Sequence, residues 1–167
     1  MSIRRLLDTT DLFAALPAEA LAELRDRAVV RSYARNEVLI RQGEPAEDLF
    51  IIDHGRIAIA QQAGDGRESV VAVLEDGGLF GELSLFDDAP RSADARALTD
   101  STVVVLSYEP VRAVLRAQPE LLWVIVRLLA GRLRATDEAL ADAVFLDVPA
   151  RTAKRLLELA GSRDRFA

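Results

Sequence analysis

The sequence predicts a mainly β fold with helices at both ends: an antiparallel sandwich, roll or barrel, preceded by two short helices and followed by a long one. Three observations carry this. Between about residues 29 and 108 the apolar residues fall in short clusters separated by turn residues. On either side of that stretch their spacing is helical. Within the C-terminal part, one run keeps a strict alternation of four- and three-residue steps.

In chain order, Leu6, Leu7, Leu12, Phe13 and Leu16 lie at helical spacing, and Pro17 interrupts them. Leu21 and Leu24 then mark a second short helix with Pro17 near its first turn. The β stretch comes next, as Val29-Val30, Val38-Leu39-Ile40, Leu49 to Ile52, Ile57-Ala58-Ile59, Val70 to Leu74 and Val103 to Leu106. The intervals hold turn chemistry: Gly43-Glu44-Pro45, Asp53-His54-Gly55, Gly64-Asp65-Gly66 and Asp76-Gly77-Gly78. Asp65-Gly66 is read as a hairpin turn because both residue types tolerate positive φ.

Glu109-Pro110 opens a helix through Leu115, and Gln118-Pro119-Glu120 opens a longer one. There Leu122, Val126, Leu129, Leu133, Thr136, Leu140 and Ala143 form a heptad seam, ~30 Å long at 1.5 Å per residue. Its strict spacing favours a parallel dimer interface over a helix simply lying on the β core. The opposite face carries Leu121, Val124, Ile125 and Leu128, which could meet that core, and Trp123 is expected between helix and β layer. Asp147 can cap one more helix, with Val148, Ala153, Leu156, Leu157 and Ala160 as its apolar set and Gly161 as its stop. That helix, followed closely by the last residue, is expected to be the first piece of a further domain.

Composition narrows the function. The chain has 167 residues, 50% hydrophobic and 29% charged, which suits one ordinary core. With no cysteine and a single histidine, His54, thiolate sites and two-imidazole metal centres are excluded. A net charge of −6 does not advertise nucleic-acid binding. No apolar run approaches membrane length and no signal peptide is evident, so a cytoplasmic protein is expected. His54 and the pair Asp87-Asp88 read as solvated turn and loop residues rather than metal ligands. Glu82 and Asp87 offer carboxylates, but no nucleophile accompanies them, so no enzyme is expected.

The informative segment runs from Phe80-Gly81-Glu82-Leu83-Ser84 to Arg91-Ser92-Ala93. Gly81 allows close backbone approach, and the turn of helix after it begins with N–H groups suited to an anion. Arg91, ten positions later, can grip the same anion through its planar fork, with Ser92 adding a hydroxyl. A carboxylate beside an anion site, Glu82, needs its own partner; a sugar hydroxyl would be one. Together they suggest a ribose phosphate.

Residues 80–97 resemble the phosphate-binding cassette of cyclic-nucleotide-binding domains. Residues 38–55, Val-Leu-Ile-Arg-Gln-Gly-Glu-Pro through Asp53-His54-Gly55, resemble the strand–turn–strand signature of the same domains. Arg132 to Thr136 and Phe145 to Arg151 resemble the dimer helix and hinge of bacterial catabolite-activator (CRP/FNR) transcription regulators. The resemblance covers about residues 8–160 and implies an antiparallel β-roll, jelly-roll-like, with short N-terminal helices and a long C-terminal dimerisation helix. It also implies roles. Arg91, Ser92 and the N–H groups near Leu83 and Ala93 would hold the cyclic phosphate, Glu82 the ribose 2′-hydroxyl, and Gly81 would permit the approach. Thr136 would meet the purine's exocyclic edge, and Asp137 the nucleotide of the other subunit. Ile59 and Val71 would wall the base. Asp137 departs from the neutral serine or asparagine usual there, adding negative charge near an anionic ligand.

The expected organisation is a nucleotide-binding β-roll over 1–117, a dimerisation helix over 118–146 and a hinge with the first helix of a truncated or absent DNA-binding domain over 147–167. The expected function is cyclic-AMP sensing in a homodimeric transcription regulator, with no metal and no membrane partner. DNA and the transcription machinery would be reached only through a C-terminal domain outside this chain. The alternatives are a stand-alone cyclic-nucleotide module signalling through protein contacts, and a regulator that works without ligand.

Overall fold

The computed structural model describes residues 6, 13 and 16–163. Most of the first expected helix lies outside them, although Leu6 and Phe13 are helical and buried. The chain divides into two compact units, Met1–Leu122 and Trp123–Ala167.

The first unit is built on eight strands: β1 Val29–Tyr33, β2 Val38–Ile40, β3 Asp48–His54, β4 Ile57–Gln62, β5 Glu68–Leu74, β6 Leu79–Phe80, β7 Asp94–Ala97 and β8 Ser101–Ser107. They form two four-stranded antiparallel sheets, ordered β1-β8-β3-β6 and β2-β7-β4-β5. This is the antiparallel β architecture the apolar clusters imply. Phe50, Ile52, Phe80, Val103 and Val105 of the first sheet share a core with Ile40, Ile57, Ala95 and Ala97 of the second. The alternate residues Leu49, Ile51, Val104 and Leu106 are buried too. Helices α1 Ala18–Arg27 and α3 Tyr108–Ala117 lie in contact with each other and with β8. A sheet covered on both faces explains why residues 49–52 and 103–106 read as unbroken apolar runs instead of alternating.

Two strands have no counterpart among the apolar clusters. β6 is only two residues long, and β7, Asp94-Ala95-Arg96-Ala97, has no β-branched residue. β4 and β5 form the expected hairpin, closed by Gly66 N–H to Ala63 O (2.9 Å) and Ala63 N–H to Arg67 O (2.8 Å). Only Gly66 takes positive φ there; Asp65 bonds Arg67 instead, through both its main-chain N–H and its guanidinium. The short helix α2, Ser84–Asp87, lies between β6 and β7.

The long helix begins with one 3-10 turn, Pro119–Leu121, and continues as α4, Leu122–Phe145. Along it Leu121 and Ile125 are buried, whereas Leu122, Val126, Leu133 and Leu140 of the seam are exposed and Leu129 is half-buried. Trp123 is 71% exposed, so it is not the packed residue its size suggested. In the second unit Asp147 caps α5, Val148–Arg163, by accepting the Ala150 N–H (2.9 Å). Arg151 donates to the Ala143 and Leu146 carbonyls at the end of α4 (3.0 and 3.3 Å). Gly161 does not stop α5, which runs on to Arg163; glycine inside a helix costs about 1 kcal/mol but does not forbid it. No helix among the described residues is long and apolar enough to cross a membrane.

Candidate functional site

The cassette is positioned by main-chain bonds from a distant turn. Gly43 N–H donates to Arg91 O (2.8 Å) and Arg91 N–H donates to Glu44 O (2.9 Å). The Gly43-Glu44-Pro45 turn and Arg91 therefore hold each other, which gives the two sequence signatures a physical reason to occur together. Gly43 sits at φ +84°, a conformation that favours glycine.

Arg91 is 8% exposed and turns toward the start of its own cassette. Its Nη1 donates to Gly81 O (2.9 Å) and to the Tyr108 hydroxyl (3.0 Å), and its Nη2 donates to Asp48 O (2.8 Å). The guanidinium carbon lies 5.6 Å from the Phe50 ring centroid and 5.8 Å from that of Tyr108. Phe50 stacks on Phe80 at 5.1 Å. A buried cation is thus surrounded by carbonyl and phenol oxygens and by ring faces, an arrangement that stabilises its charge.

Gly81 takes φ +76°, and a Cβ there would come within 2.8 Å of Arg91 Nη1 and 3.2 Å of Phe50 Cδ2. The glycine is thus required by the protein's own arginine and aromatic ring, before any ligand is considered. Gly81→Ala is expected to destabilise the fold by about 2 kcal/mol and lower Tm by about 4–8 °C, read by thermal denaturation. An unchanged Tm would show that Arg91 and Phe50 yield at no cost.

Glu82 is 2% exposed. Tyr108 joins it to Arg91 electrostatically. Burial raises the phenol's pKa above its ordinary value, the Arg91 charge and hydrogen bonds from Ser84 and Arg91 oppose the rise, and the Glu82 carboxylate adds to it. Tyr108 O–H also makes a short hydrogen bond to Gly81 O. Arg112, one turn along α3, donates to Leu85 O (3.0 Å from Nη2) and pairs with Asp88, with its guanidinium carbon 5.7 Å from the Tyr108 centroid. Asp88 is therefore an ion-pair partner rather than a merely solvated residue, while Asp87 accepts the Ala89 N–H (3.0 Å). No cluster of metal-ligating side chains occurs among the described residues.

The structure thus brings Gly81, Glu82 and Arg91 together. It leaves Leu83 and Ser92 exposed and Ala93 half-buried beside them. Ile59 packs against the core, whereas Val71 is 56% exposed and falls at the register shift opposite Ile59 and Ala60. On α4, Thr136 Oγ1 donates to Arg132 O of its own helix (3.0 Å), and Asp137 is exposed. Sequence reasoning missed Tyr108, Arg112 and Asp48 O. For Tyr108 a signal existed: an aromatic residue with a polar tip at a buried strand–helix junction needs a hydrogen-bond partner.

A surface cleft of about 530 Å³ also opens beside Tyr108 and Arg112. Glu47, Asp88 and Glu109 line it, and those carboxylates oppose a phosphate there.

The model of the cyclic nucleotide-binding domain matches residues 30–118. The chain belongs to that family. Similarity extends to CRP-like transcription regulators: the chain is 36% identical over 155 residues to the CRP-like cAMP-activated global transcriptional regulator of Mycobacterium tuberculosis, covering 93% of this chain and 69% of that one. Among solved structures it resembles the N-terminal domain of a transcriptional regulator from Streptomyces coelicolor (36% identity, TM-score 0.61, covering 81% of this chain and 94% of that one). It also resembles the Thermus thermophilus catabolite activator protein (31% identity, TM-score 0.69, covering 81% and 63%). The matched span of the cyclic nucleotide-binding domain includes Gly81, Glu82, Arg91 and Tyr108, and the likeness to CRP-like regulators extends over most of the chain.

Proposed function

We propose that the chain senses cyclic AMP for a homodimeric transcription regulator and that Arg91 and Glu82 are its phosphate and ribose ligands. The observation that carries this is that Arg91 and Glu82 are both buried and both act on Tyr108, Arg91 through a hydrogen bond and Glu82 through its charge. A cation and a carboxylate held in one cradle match a cyclic phosphate and its sugar hydroxyl. Ser92 and the N–H groups near Leu83 and Ala93 complete the phosphate contacts, and Ile59 and Val71 face the base.

Thr136 favours adenine for a reason of hydrogen-bond direction. Its one donor is committed to Arg132 O, so its oxygen offers lone pairs, which suit the adenine N6 amine and not the guanine O6 acceptor. Asp137, also an acceptor, has the same preference. Binding then shifts the population of dimer-helix arrangements and moves the chain beyond Asp147, the route by which DNA binding in the full-length protein is controlled.

Calorimetry with cyclic AMP and cyclic GMP side by side tests this. The expected result is one site per chain with cyclic AMP bound at least about tenfold more tightly, the worth of about one well-placed hydrogen bond. Two Arg91 nitrogens already make three hydrogen bonds to protein acceptors, the one observation that favours a ligand-independent regulator. Absence of binding by either nucleotide would establish that second reading.

A further inference from the structure

The bonds around Arg91 divide its guanidinium into a held end and an open edge. Nη1 donates to Gly81 O and to the Tyr108 hydroxyl, two oxygens that lie against each other, and Nη2 donates to Asp48 O. Among the described residues nothing accepts from Nε–H or from the second N–H of Nη2. Those two donors lie on neighbouring nitrogens, the spacing that meets two oxygens of one phosphate.

Two of the three acceptors at the held end are main-chain carbonyls, fixed by the fold. The third is a side chain, and it is the one that closes a ring of bonds. Tyr108 accepts from Arg91 Nη1 and donates to Gly81 O, the same carbonyl that Nη1 reaches directly. Such closed chains of donors and acceptors reinforce one another in a buried setting. The phenol is itself immobilised. Its main-chain N–H donates to Glu47 O (2.7 Å), and the Arg91 and Arg112 guanidinium carbons both lie over its ring at 5.8 and 5.7 Å. Arg112 is anchored in turn on Leu85 O and Asp88, at the far end of α2.

We infer that Tyr108 is a positioning residue for the anion site: its hydroxyl pins one end of the Arg91 guanidinium and thereby presents the Nε–Nη2 edge to the ligand's phosphate. The inference rests on the reading of Arg91 as the phosphate-binding residue. Tyr108 touches no ligand atom in this scheme; it removes conformational freedom that Arg91 would otherwise lose on binding.

The test is Tyr108→Phe, which keeps the ring and its contacts with both arginines. In protein without ligand, 15N NMR of the arginine side chains is expected to show hindered rotation of the Arg91 guanidinium in the wild type and faster rotation in the variant. Cyclic AMP affinity measured by calorimetry is expected to weaken about tenfold. In an Arg91→Lys background, where there is no fork to hold, Tyr108→Phe is expected to change affinity by less than about twofold.

A residue of merely structural importance would cost the same factor in both backgrounds, and that result would overturn the inference. Unaltered Arg91 signals, or altered signals with unaltered affinity, would overturn it equally. Wild-type protein that binds no cyclic nucleotide would instead defeat the reading of the site, while the guanidinium signals would still decide whether Tyr108 holds Arg91.

Discussion

Arg91→Ala is expected to weaken cyclic AMP binding by roughly thirty-fold to several-thousand-fold, equivalent to about 2–5 kcal/mol, the loss on truncating a desolvated, charge-assisted pair. The loss has two origins. The phosphate loses its cation, and the cradle loses the group that satisfied it. Asp48 O would lose its Arg91 donor, Gly81 O would keep only the Tyr108 hydroxyl, and Phe50 and Tyr108 would lose the cation over their rings. A stability loss of about 1–3 kcal/mol accompanies the binding defect. The two effects separate by measuring affinity well below Tm and recording Tm in parallel. Arg91→Lys refines the result, since it keeps the charge but not the fork and should fall between wild type and alanine. Cyclic AMP affinity unchanged in Arg91→Ala would remove the basis for assigning this segment to the ligand.

How much of this arrangement could be read from sequence depends on whether the relevant contact is local. The runs Leu49 to Ile52 and Val103 to Leu106 announce strands because both faces of their sheet are covered and every position is apolar. β7 is silent for the opposite reason. Asp94 in its first position is a buried carboxylate tied to Gln42 N–H (2.6 Å) and Gln62 Nε2 (2.8 Å), a bond pattern that only the folded sheet supplies. Gly81, Glu82 and Arg91 were legible because an anion cradle draws its parts from one segment, where spacing carries information.

Tyr108 was not legible as part of that cradle. No spacing relates it to Gly81 or Arg91. It arrives there because β8 pairs with β3 in a register that sets Ser107 opposite Asp48, and that pairing is a long-range fact. The role of Gly81 was legible in kind but not in cause. The sequence suggested space for a ligand, whereas the crowding atoms belong to Arg91 and Phe50. Thr136 shows the converse: a polar residue within an apolar seam stands out in the sequence, and the structure places its hydroxyl proton on Arg132 O of its own helix.

Leu129→Glu combined with Leu133→Glu is expected to convert a dimer into monomers, read by sedimentation at concentrations where the wild type is dimeric. Leu122, Val126, Leu133 and Leu140 are 43, 52, 62 and 63% exposed in the single chain, an apolar stripe longer than isolated surface residues would make. Their heptad spacing is the pattern that buries such a stripe against a second copy. Burying each leucine contributes roughly 2–3 kcal/mol, and the loss is incurred in both protomers, before the repulsion of carboxylates brought together in the seam is added. Glu138→Lys, on the helix face away from the seam, serves as the control and should leave the dimer intact. A double variant that remains dimeric would overturn the seam assignment. The monomer also separates two contributions to ligand binding. Gly43, Glu44, Asp48, Gly81, Glu82, Arg91 and Tyr108 all belong to one unit of one chain, so phosphate recognition should survive dissociation. A fall in cyclic AMP affinity that accompanies dissociation is the result expected from the proposed contact of Asp137 of a second copy with the base.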